Sequence, residues 1–172
     1  MIGRDVAVRV AGEFSYPAGS VEQVFRMLTD KAFQERKCAA TGALSYSVSV
    51  SGEAATPVVE SARRMPTDGL PDFARKLVRD GIDLREVHAW EAPAADGTRR
   101  SATTVSIAGQ PVEMTGTLFL GHAATGVQGA LAAELRVSVP LIGGRIERVI
   151  APLILKALAV EEALGRQWLE QS

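Results

Sequence analysis

Glu86 and His88 lie two residues apart in Ile82-Asp83-Leu84-Arg85-Glu86-Val87-His88-Ala89-Trp90, and Ile82, Leu84 and Trp90 share their period of two. On a strand, that spacing sets a carboxyl and an imidazole side by side on the face that carries Leu84 and Trp90. If that face points inward, the desolvated carboxylate is either raised in pKa or ion-paired. Such a pair carries out the proton transfers of cyclisation and dehydration reactions. The opposite phase puts Val87 and Ala89 inside and leaves both polar groups in water, and a third reading makes the two a satisfied structural contact.

The other chemistry-bearing residues have fewer partners. His122 follows Gly121 in a turn, and with His88 the only other histidine a metal centre would need carboxylates for most of its ligands. No metal and no cofactor is implied. Asp68 and Asp72 flank Gly69 and Pro71, where a turn accounts for the first and a helix cap for the second. Ser45, Ser47 and Ser49 lack the Gly-x-Ser-x-Gly surroundings of a serine nucleophile. Gly143-Gly144 precedes a helix without the Lys-Ser/Thr of a phosphate loop, so a tight turn is expected there. Arg63, Arg64, Arg99 and Arg100 alternate along strands and are expected in solvent. Cys38 is expected to be a small buried or half-buried residue, and with no second thiol it forms neither an internal disulfide nor a zinc pair.

The elements that must position these residues follow from periodicity. Val6, Val8, Val10 and Phe14 predict a strand from about residue 5 to 15, interrupted in its side-chain row by Gly12. Ser20 with Gln23 reads as a capping box for a helix carrying Val21, Val24, Phe25 and Leu28, and Asp30 caps a second short helix to about Ala39. Leu44, Tyr46, Val48 and Val50, alternating with serines, predict a strand with one apolar face; residues 58–65 form its partner. Pro71 opens a helix of one or two turns with Phe73 and Leu77 on one side. Strands follow over 82–90, 99–108, 112–121 and 127–139. A stripe from Ile146 to Trp168 then predicts one amphipathic helix of about 25 residues, roughly 37 Å long, with a kink or break at Pro152.

At 172 residues the chain is expected to form a single domain, 1–172, large enough for a substantial core. Net charge of −1 without like-charge blocks leaves no electrostatic footprint for nucleic acid. No apolar run is long enough for a membrane span and the start lacks a signal-peptide pattern, so a cytoplasmic protein is expected. Six or seven antiparallel strands have an apolar face that only the final helix is long enough to cover, and a twisted sheet around one helix leaves a gap.

The order of one strand, two short helices, six strands and a long C-terminal helix resembles the START-like superfamily, also called SRPBCC or helix-grip proteins, over nearly the whole chain. Phe14-Ser15-Tyr16-Pro17-Ala18, Pro66-Thr67-Asp68-Gly69-Leu70-Pro71 and Val139-Pro140-Leu141-Ile142-Gly143-Gly144-Arg145-Ile146-Glu147 are similar to an uncharacterised bacterial family within it. The resemblance implies an α+β fold with the sheet curved around the C-terminal helix and a cavity for a hydrophobic small molecule such as a lipid, isoprenoid or polyketide. Tyr46, Phe73, Trp90, Met114, Leu118, Leu135, Leu153 and Ala157 are expected along that cavity, with Glu86 and His88 as its polar groups. The alternatives are a cyclase- or dehydratase-like enzyme using Glu86 and His88 as acid and base, and an interaction module recruiting a protein through a helix face or edge strand. The apolar stripe of the final helix is too narrow for that last reading.

Overall fold

The computed structural model describes residues 7–79 and 81–172. Its strands are β1 (Val8–Tyr16), β2 (Ser45–Glu53), β3 (Thr56–Met65), β4 (Ile82–Trp90), β5 (Arg99–Ile107), β6 (Val112–His122) and β7 (Val127–Val137). The helices are α1 (Val21–Leu28), α2 (Lys31–Ala40), α3 (Asp72–Arg75), which continues into a 3-10 turn (Lys76–Val78), and α4 (Gly143–Glu170). The strands form one antiparallel sheet in the order β1-β7-β6-β5-β4-β3-β2. β2 to β7 are thus a meander, and β1 closes against β7. Residues 5 and 6 of the expected first strand lie outside the described residues.

Local chemistry sets most of the element ends. Ser20 Oγ accepts from the Gln23 amide at 3.2 Å while Gln23 Oε1 accepts from the Ser20 amide at 2.8 Å, completing the capping box. Asp30 accepts from the amides of Ala32 and Phe33 and caps α2. Asp72 does not cap: the N-cap of α3 is Pro71, and Asp72 lies inside the first turn. α4 runs through Pro152 without interruption over 28 residues, so the expected break is absent.

α1, α2 and the C-terminal half of α4 close one end of the sheet. Phe33, Val24, Leu120 and Val127 are completely buried there, and edge-on aromatic pairs form between Phe25 and Trp90 (5.2 Å) and between Phe33 and Trp168 (5.5 Å). Two glycines let α4 sit this close. A Cβ on Gly165 would lie 2.6 Å from Tyr16 Cε1, and one on Gly12 would lie 2.7 Å from Leu158 Cδ2.

Three expectations about faces are corrected. β2 buries only Val48; Leu44, Tyr46 and Val50 are exposed, because β2 is the sheet's edge and only α2 packs on it. Arg63 is buried on the inner side of β3. Arg99 is buried as well, with its guanidinium 3.7 Å over the Phe25 ring and Nη2 bonded to Glu22 at 3.0 Å.

Candidate functional site

Between the N-terminal half of α4 and the sheet lies a cavity of about 700 Å³. Its apolar walls include Met114, Leu118 and Leu135 from the sheet and Leu153 and Ala157 from α4; residues of the 65–78 connection line its rim. Over residues 149–160 of α4 no residue is fully buried, and Ile150, Ala151, Ile154 and Leu158 pack only partly against the core.

Sheet register builds a polar group into this apolar lining. Opposed residues of an antiparallel pair point to the same side, and β3, β4 and β5 align Ser61, Glu86 and Val105 in one row and Val59, His88 and Thr103 in the next. Glu86 and His88 therefore point inward with Leu84 and Trp90, the first of the two phases that the spacing allowed. His88 Nε2 lies 2.7 Å from Glu86 Oε1, and His88 Nδ1 lies 2.9 Å from Thr103 Oγ1.

Two buried cations complete the group. Lys37, reaching in from α2, lies 2.8 Å from Glu86 Oε1 and 2.6 Å from Glu161 Oε2 on α4. Arg63 binds Glu86 Oε2 and donates to Thr41 Oγ1 at 3.2 Å. Burial opposes charge on Glu86, but Lys37, the hydrogen bond from His88 and Arg63 hold its carboxyl well below the usual carboxylate range. Burial likewise opposes charge on Lys37, and Glu161 and Glu86 more than reverse it, raising its pKa above the ordinary lysine value. Glu86 is therefore ionised and can only accept, so His88 Nε2 carries a proton. Burial pushes up the pKa of the neighbouring Cys38 thiol.

This arrangement is a fixed set of charges. Glu86 holds no proton to give, and both imidazole nitrogens are engaged by protein groups. The expected acid and base are together, but their valences are spent on each other and on Lys37, Arg63 and Thr103.

Of the residues expected along the cavity, Glu86, His88, Met114, Leu118, Leu135, Leu153 and Ala157 line it. Three are placed elsewhere. Tyr46 is on the exposed edge strand, 43% accessible. Phe73 stacks under Arg145 at 4.3 Å, and Ala74, Leu77 and Val78 line the cavity in its place, the α-helical turn giving way to 3-10 geometry at Lys76. Trp90 is on the inner face but at the packed end, sealed against Phe25.

Lys37, Thr103 and Glu161 are not singled out by the sequence reading, which places Arg63 in solvent. Their signals were breaks in pattern: Lys37 is four residues after Phe33 on the buried stripe of α2, and Glu161 occupies the apolar stripe of α4 four residues after Ala157.

A family model described as "Protein of unknown function (DUF2505)" matches residues 13–169. An uncharacterized protein of Mycobacterium tuberculosis is 26% identical over 159 residues, covering 88% of this chain and 91% of its own. Among solved structures, human STARD10 is similar with a TM-score of 0.63 at 10% identity, over 99% of this chain and 68% of that one. A STAR-related lipid transfer protein from Xanthomonas axonopodis aligns with a TM-score of 0.60 at 13% identity, over 93% and 84% of the two chains. Norcoclaurine synthase from Thalictrum flavum, in complex with dopamine and hydroxybenzaldehyde, aligns at 0.60 and 11% identity over 97% and 89%. At these identities the likeness establishes a START-like, helix-grip fold.

Proposed function

We propose that this chain, which belongs to the DUF2505 family of unknown function, encloses a hydrophobic small molecule such as a lipid, isoprenoid or polyketide between its sheet and α4, as a carrier or sensor. The observation that carries this reading is the apolar-walled cavity of about 700 Å³ under a stretch of α4 whose residues are at most half-buried. That volume is in the range of sites enclosing a whole small ligand. The fold neighbour from Xanthomonas axonopodis that bears a lipid-transfer name supports the same reading. Residues 69–78, a short helix between turn residues, are the least anchored cover and form the gate. Among the described residues no helix is long and apolar enough to cross a membrane.

Norcoclaurine synthase shows that this fold also hosts catalysis. Here the saturated Glu86 and His88 weigh toward binding.

The test is native mass spectrometry of the chain purified from its own host, followed by denaturing extraction and identification of whatever is released. One apolar molecule per chain is expected. An empty chain that gains no mass after incubation with lipid extract would overturn the reading.

A further inference from the structure

The polar group in the cavity is balanced in charge, two cations (Lys37, Arg63) against two anions (Glu86, Glu161), and all four side chains are buried. Its hydrogen-bonding capacity is not used up. Glu86 Oε1 takes Lys37 and His88, and Glu86 Oε2 takes Arg63. Lys37 has three protons and two acceptors, Glu86 and Glu161. Glu161 meets Lys37 through Oε2, and its Oε1 has no hydrogen-bond partner among the described residues. Lys37 thus keeps a spare donor and Glu161 a spare acceptor, Arg63 Nε is a further buried donor without a partner, and all three residues line the cavity.

We infer that the ligand's inner end is an uncharged hydroxyl, held between the Lys37 ammonium and the free oxygen of Glu161. This rests on the hydrophobic-ligand reading above and names the end group that reading leaves open. A hydroxyl accepts from Lys37 and donates to Glu161, so the spare valences of that pair are met without changing the charge of a desolvated site. A carboxylate can only accept, and it adds an unmatched negative charge beside Glu161. An ammonium can only donate, and it adds an unmatched positive charge beside Lys37. Either ion would be buried without a counter-charge, a cost the balanced group does not offset. A hydrocarbon end leaves both protein groups unpaired.

The experiment uses the full chain and four probes with one tail: 1-dodecanol, dodecanoate, dodecylammonium and dodecane. Each displaces the neutral fluorophore N-phenyl-1-naphthylamine at about pH 7.5, where acid and amine are charged. The alcohol is expected to displace the dye at a concentration about tenfold lower than the other three, because a site built to bond a hydroxyl rejects analogues lacking it. Glu161→Gln removes one negative charge and leaves the group net positive, so dodecanoate is expected to overtake the alcohol in that variant. Four equal probes, or a wild type that prefers dodecanoate or dodecylammonium, would overturn the hydroxyl inference and leave the hydrophobic-ligand reading intact. A chain that takes up neither the dye nor any probe would overturn both. Circular dichroism checks that the variant is folded, and if it is not, the wild-type ranking decides alone.

Discussion

Along α4 the same helix meets two different interiors. Glu161 and Gly165 are buried against α2, β1 and the aromatic pairs around Phe33, whereas residues 149–160, earlier on the helix, are at most half-buried and share a cavity with Met114, Leu118 and Leu135. The packed end obeys the ordinary rule that interiors are filled to crystal-like density. The hollow end departs from it inside the same sheet, and the charged group at Lys37, Glu86 and Glu161 stands at the boundary. Stability is therefore supplied by one end, which leaves the other free to stay empty until something fills it.

That division of labour is open to direct attack. The largest loss is expected at the boundary: Lys37→Met removes the cation shared by Glu86 and Glu161 and should cost about 3–5 kcal/mol, read from the urea midpoint. Leu120→Ala, at the packed end, should cost about 2–5 kcal/mol. Leu153→Ala, over the hollow, should cost under about 1 kcal/mol, and equal costs at the two sites would erase the contrast.

Acid comes next. Glu86 is held well below its ordinary value of 4.5 in the fold, so its stabilising contribution is complete above that value and is lost as pH falls through the lower folded-state value. The unfolding free energy of Glu86→Gln should therefore fall less steeply below about pH 4.5 than that of the wild type, and parallel slopes would remove Glu86 from the account. The smallest change in stability, within about 0.5 kcal/mol, is expected for Leu153→Trp, which should nonetheless abolish dye uptake by filling the hollow. Undiminished uptake by that folded variant would place the ligand elsewhere.

Much of this was legible in the residues. The alternation in β4 and β7, the caps at Ser20 and Asp30 and the stripe of α4 are local patterns, and each produced the element it announced. The errors arose where a neighbour decided. Tyr46 has the right alternation but sits on an edge strand, and edge position is a property of the whole sheet. Phe73 has helical spacing from Leu77, but the helix tightens to 3-10 geometry at Lys76, between the two. Arg63 looked like a solvated strand arginine because its anionic partner is 23 residues away, and Lys37 is 49 residues from the same carboxylate. Charge pairs of that kind belong to the tertiary structure. Only their violation of an apolar stripe shows in the sequence.

Pro152 lies where α4 is least supported, and lacking an amide it leaves the carbonyl of Arg148 without its helical partner. Amide hydrogens over the hollow should therefore exchange with solvent through small local openings, while those from Glu161 onward wait for the whole molecule to unfold. A bound molecule would slow the first set and leave the second untouched, so α4 by itself records whether the protein is loaded.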